Sequence, residues 1–135
     1  MILVDSSAWI ELLRASGHPA HLTLRHHLEA GSTLATTEIV VMELLAGARS
    51  SADRNRLRRR LLSLSLSPLR GLPDFEAAAD LYRTCRRRGA TVRKLADCLI
   101  AVVAIRERLT LLHNDRDFDL LGDHTRLKIE PWLVP

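Results

Sequence analysis

The chain has 135 residues, 47% of them hydrophobic and 27% charged, with a formal net charge of +4 and a sequence pI of about 9.8. These values suit one globular domain, residues 1–135, built around a single core, and they exclude a disordered or low-complexity module. The apolar run Met1–Val4 stops at Asp5, too short for a secretory leader, and no later stretch is long enough to span a membrane, so a cytoplasmic location is expected.

Met1–Val4 has no helical period and reads as a buried parallel strand. Asp5, Ser6 and Ser7 can each cap the helix that follows over Ala8–Ala15, which Gly17 ends. A second helix fits Pro19–Ala30, opening near a proline and stopping at Gly31. Thr33–Thr36 is a candidate strand, and Thr37 can cap a helix from Glu38 to about Ala48. Ala52–Leu62 is a strongly basic helix, and the alternation around Leu64 and Leu66 suggests a strand. Pro73 and Asp74 open a helix ending near Gly89, and Leu95–Arg108 is a very apolar helix. Leu109–His113 reads as a strand, Arg116–Leu121 as a short helical turn and Leu127–Glu130 as a last strand. Strands alternating with helices imply a parallel sheet covered on both faces.

Four acidic residues fall in costly places. Asp5 directly follows Met1–Val4, and Asp115 follows the strand at Leu109–His113 by two residues. Glu43 lies within Ile39–Ala46 and Asp97 within Leu95–Val103, both strongly apolar segments. A carboxylate in such a setting loses hydration, which costs roughly several kcal/mol unless it is paired. In an open parallel sheet the ligand edge lies beyond the carboxyl ends of the strands, where Asp5 and Asp115 emerge, and Glu43 and Asp97 can point to the same edge. Converging carboxylates repel and raise one another's pKa, a conflict that a hard, oxygen-seeking Mg²⁺ or Mn²⁺ resolves. Each residue also has an ordinary explanation: Asp5 as a helix cap, Asp97 as a helix-start carboxylate, Glu43 as the partner of an arginine, Asp115 as a turn residue. All four together point to a metal-dependent phosphodiester hydrolase on a basic protein.

At this point the chain resembles a known family. Ile2-Leu3-Val4-Asp5-Ser6-Ser7-Ala8-Trp9-Ile10 looks like the opening of PIN-domain nucleases, Met42-Glu43-Leu44-Leu45-Ala46-Gly47 like their second acidic motif, Leu95-Ala96-Asp97-Cys98-Leu99-Ile100-Ala101 like the third and His113-Asn114-Asp115-Arg116-Asp117-Phe118 like the fourth. The order and the short chain are similar to VapC toxins of bacterial type II toxin–antitoxin modules. The resemblance implies a three-layer α/β/α sandwich on a mostly parallel central sheet. It implies Asp5 and Asp97 as principal Mg²⁺ ligands, with Mn²⁺ as a substitute, and Glu43 and Asp115 completing the site directly or through water. Ser7 matches a hydroxyl position of the first motif, and Asp117 shares the fourth motif with Asp115. It further implies an endoribonuclease that hydrolyses RNA with metal-activated water to leave a 5′-phosphate and a 3′-hydroxyl, a cognate VapB-type antitoxin, and a homodimer.

Two other readings compete. One is a Mg²⁺-dependent phosphatase or phospho-receiver, which wants a lysine after a late strand; Lys94 and Lys128, the only lysines, are not well placed for it. The other is a non-catalytic RNA-binding regulatory module, which has no need of four carboxylates in apolar surroundings. Arg54–Arg60 and Arg86–Arg88 form two basic clusters, either solvated helix faces or tracks for an RNA backbone, and with aromatic residues at only 4% base stacking is not the main grip. Trp9, Leu12 and Leu13 share a helix face, for core packing or for an antitoxin groove. The histidines, His113 included, have no evident metal or nucleophile partner and read as surface or supporting residues. Cys85 and Cys98 lack metal-finger spacing and read as buried thiols.

Overall fold

The computed structural model describes residues 1–133. In chain order it runs β1 (Ile2–Val4), α1 (Ser6–Leu13), α2 (Pro19–Glu29), β2 (Leu34–Thr36), α3 (Glu38–Ala46), α4 (Ser51–Leu62), β3 (Ser65–Leu66), α5 (Leu72–Arg87), α6 (Leu95–Glu107), β4 (Thr110–Leu112), α7 (Arg116–His124) and β5 (Lys128–Ile129). The strands form one sheet in the order β3-β2-β1-β4-β5, and every described pairing is parallel. With helices on its faces this is a three-layer α/β/α sandwich. β1 and β2 are buried along their whole length, as strands covered on both sides must be.

The strand order explains where a site can form. From the central β1 the chain moves outward to β2 and β3, then returns to the other side of β1 for β4 and β5. The connections leaving β1 and β4 therefore depart in opposite directions, which opens a crevice at the carboxyl ends of these two strands. The residues that follow them stand at its rim.

Most predicted elements appear within a residue or two of their expected limits. The exception is α7, expected as a short turn ending at Leu121. It runs to His124 because Phe118 and Leu121 are fully buried, while the Thr125 amide and hydroxyl both return to the Leu121 carbonyl. α6 is enclosed on all sides: every residue from Asp97 to Ala104 is buried. α3 differs, despite a similarly apolar sequence. Only Val40 and Leu44 are buried there, and Met42 is 60% exposed. Cys85 and Cys98 are buried free thiols, as expected, and burial pushes Cys98 up to about 12.

Candidate active site

The crevice begins at Asp5. Its amide donates to the Leu112 carbonyl at 2.9 Å, carrying the β1–β4 ladder one residue past β1. Its side chain caps α1: Oδ2 accepts from the Ser7 amide at 2.9 Å and the Ser7 hydroxyl at 2.6 Å. The same hydroxyl accepts from the Asn114 amide at 2.8 Å, so Ser7 ties the segment after β4 to the carboxylate after β1. Asp5 Oδ1 is buried and has no partner among the described residues. Burial pushes the Asp5 carboxyl above its ordinary range; the Ser7 hydrogen bonds pull against this, and the Glu43 charge adds to it.

Across the crevice Asp97, Asp115 and Asp117 each offer a carboxylate oxygen, all within 4.8 Å of one another. Asp97 enters from the first turn of α6, 2% exposed, with Oδ2 buried and without a partner among the described residues. Burial first, then the adjacent Asp117 carboxylate, and then the charges of Asp5 and Asp115 raise its pKa to about 8, against the pull of Lys94. Asp115 caps α7, its Oδ1 accepting from the Asp117 amide at 2.9 Å. Asp117 titrates the other way. Burial opposes ionisation, but hydrogen bonds from the Arg93 amide (3.1 Å), the Asp97 side chain, the Lys94 amide (3.1 Å) and the Arg93 guanidinium (3.4 Å) outweigh it and hold its pKa below the usual range.

Glu43 sits differently from the other predicted site residues. It lies on α3, and its Oε1 accepts from the Ser6 hydroxyl at 3.1 Å. It faces Asp5 electrostatically but is not among the three carboxylates brought within 4.8 Å. Glu43 is partly buried, and only one side of its helix packs on the core.

Two residues missed as site members are Arg93 and Lys94. Lys94 Nζ lies 3.2 Å from Asp115 Oδ2, and Arg93 bridges Asp115 (3.2 Å) and Asp117 (3.4 Å). Burial works against the Lys94 charge, but Asp97, Asp115 and Glu43 outweigh it and hold the amine above its ordinary value. Lys94 precedes α6 and follows no strand, so it stands over the carboxylates without the placement after a late strand that a phosphatase or phospho-receiver wants. The signal for it was its position three residues before Asp97, where the turn into α6 brings it back over the carboxylates. His113 is buried rather than on the surface. Its Nδ1 accepts from the Asp115 amide at 3.0 Å, which supports the backbone that carries Asp115.

Comparison with known proteins gives this crevice a family. The PIN domain model matches residues 2–123. The ribonuclease VapC11 of Mycobacterium tuberculosis is 41% identical over 129 residues, covering 95% of this chain and 96% of that protein. The chain belongs to the VapC ribonucleases of the PIN-domain family. Among solved structures, a toxin–antitoxin complex from Klebsiella pneumoniae is 27% identical, with a TM-score of 0.65 and coverage of 87% of this chain and 90% of its counterpart. VapBC2 from Rickettsia felis, bound to a DNA fragment from its promoter, shares the fold at 21% identity and a TM-score of 0.73, over 98% and 99% of the two chains.

In this PIN domain the donor set fits a hard divalent cation. Two buried carboxylate oxygens, Asp5 Oδ1 and Asp97 Oδ2, have no hydrogen-bond partner among the described residues, a costly state that a cation would relieve. All the groups facing one another here are oxygen donors, apart from the two cations of Arg93 and Lys94. Beside Glu43 lies an 870 Å³ groove lined by Ile10, Leu13, Leu44 and Leu57 and by Arg56 and Arg60, among others. The face shared by Trp9, Leu12 and Leu13 divides accordingly: Trp9 is fully buried in the core, Leu12 packs against it, and Leu13 is exposed along the groove.

Proposed function

We propose that the crevice between β1 and β4 is the phosphodiester-cutting centre of a toxin–antitoxin endoribonuclease, with Asp5 and Asp97 as the principal ligands of one or more divalent cations. The observation that carries this reading is the pair of buried oxygens Asp5 Oδ1 and Asp97 Oδ2, without partners among the described residues, on a PIN-domain chain. Mg²⁺, or Mn²⁺ in its place, would supply Lewis acidity for a phosphate oxygen and lower the pKa of a bound water. Asp115 and Glu43 complete the acidic set, and Asp117 orders the Arg93–Lys94 segment beside it. Ser7 orients Asp5 through the 2.6 Å hydrogen bond. Lys94 and Arg93 hold positive charge at the rim, suited to a phosphate of the RNA strand.

The whole chain acts as one nuclease domain, and we place it in the cytoplasm; no helix among the described residues is long and apolar enough to cross a membrane. Its partner is a cognate VapB-type antitoxin, in line with the toxin–antitoxin complex from Klebsiella pneumoniae. The groove beside Glu43 is the natural seat for an antitoxin segment, because the exposed apolar side chains of Ile10 and Leu13 line it next to that carboxylate. A homodimer follows from the family resemblance.

Purified protein is expected to cleave single-stranded and structured RNA when Mg²⁺ is added, leaving 5′-phosphate ends, and to stop on addition of a chelator. Cleavage that persists in chelator would overturn the metal-carboxylate reading. Ser7→Ala removes the Asp5 hydrogen bond and leaves the Asn114 amide without its acceptor. Activity is expected to fall about 10–100-fold, with weaker activation by Mg²⁺. An unchanged Mg²⁺ titration in Ser7→Ala would remove the orienting role assigned to this hydroxyl.

A further inference from the structure

A second pocket, of 440 Å³, lies behind the acidic cluster, between the α5–α6 connection and α7. Its polar lining is Arg88, Thr91, Arg93, Arg116, Asp117 and His124. Three arginines and one carboxylate thus line it. That carboxylate is already engaged: Asp117 Oδ1 takes the Arg93 amide and Nε, and Oδ2 takes the Lys94 amide. Arg88 and Arg116 are exposed, and neither forms an ion pair among the described residues.

The backbone holds these two arginines in place. Arg88 stands at the end of α5, where Gly89 adopts φ +81° and the Ala90 amide returns to the Cys85 carbonyl at 2.9 Å. A left-handed residue at this point favours glycine and closes the helix. Arg116 is the first residue of α7, fixed by the Asp115 cap. The other members of the Arg86–Arg88 run are used elsewhere: Arg86 lies over the Tyr82 ring at 5.5 Å, and Arg87 donates to the Thr84 hydroxyl at 3.4 Å. Arg93 joins the pocket to the cutting centre, since one guanidinium touches both Asp117 and Asp115.

We propose that this pocket is a phosphate subsite that receives a phosphodiester of the RNA strand flanking the one cut in the crevice. The inference rests on the reading of the crevice as an RNA-cutting centre. Guanidinium groups bind phosphate oxygens in a bidentate manner, and the pocket contains no Trp, Tyr or Phe on which a base would stack, so it grips backbone and not sequence.

The test compares wild type, Arg88→Gln/Arg116→Gln and Arg86→Gln/Arg87→Gln, which remove the same charge inside and outside the pocket. On an oligoribonucleotide the pocket variant is expected to raise KM about tenfold with kcat little changed, a loss consistent with a charge-assisted contact. Its binding should lose about 1.4 from the slope of log affinity against log salt, two contacts on a single strand. A dinucleotide with a single phosphodiester should be cut equally by all three proteins. A pocket variant with wild-type KM and salt slope, or an Arg86/Arg87 variant that loses as much, overturns the subsite. Wild-type protein that cuts no RNA in Mg²⁺ overturns instead the reading on which the subsite rests.

Discussion

Asp97→Asn is expected to lower RNA cleavage by about 10³-fold or more while making the metal-free protein more stable near neutral pH. The first effect follows from removing a cation ligand, whose contribution to charge stabilisation is on the order of several kcal/mol. The second follows from linkage. The folded chain holds the Asp97 proton up to about 8, mainly through burial and the neighbouring Asp117, whereas the unfolded chain releases it near the ordinary value of 3.8. Between these values the folded state binds more protons, so its stability is fully present at acid pH and falls as pH rises toward about 8. Asparagine cannot ionise and removes that penalty, which is on the order of 4 kcal/mol at pH 7. Thermal melts in chelator should therefore converge near pH 4 and separate as pH rises, with the Asn variant melting higher. Added Mg²⁺ should raise the wild-type melting temperature and leave the variant nearly unmoved. Equal Mg²⁺ stabilisation of both proteins would falsify the assignment of Asp97 as a ligand.

Asp117→Ala is expected to be the most destabilising change in the crevice, lowering stability by roughly 3 kcal/mol. Asp117 is 1% exposed and accepts from two consecutive amides, those of Arg93 and Lys94. Alanine leaves both donors without their acceptor and releases the segment that carries the two cations. The melting temperature should fall by about 10 °C, since each kcal/mol shifts a domain of this size by roughly 3–5 °C. Asp117→Asn keeps an acceptor and should recover part of the stability. Cleavage restored along with stability in Asp117→Asn identifies Asp117 as a positioning residue; stability without cleavage identifies it as a ligand. An Ala variant that melts like wild type would remove the anchoring role altogether.

The local patterns along the chain determined a good deal. Each strand and helix announced itself by periodicity, by a cap such as Asp5 or Asp115, or by a breaker such as Gly31, because these signals act within a few residues. The carboxylates were equally visible, since an acid placed against Met1–Val4 or inside the α6 sequence is costly unless something uses it. What the chain could not show was how separate segments share space. α3 and α6 read alike as apolar helices, yet α6 is enclosed and α3 presents Met42 to solvent, because a one-dimensional pattern does not say how many faces of a helix are covered. The strand order, with β1 between β2 and β4, is likewise a tertiary choice, and it sets the crevice between Asp5 and Asp115. The four carboxylates singled out by pattern were Asp5, Glu43, Asp97 and Asp115. Tertiary packing drew Asp97, Asp115 and Asp117 into the tightest group, left Glu43 partly buried and outside it, and set Arg93 and Lys94 over the cluster through the two amides that Asp117 binds.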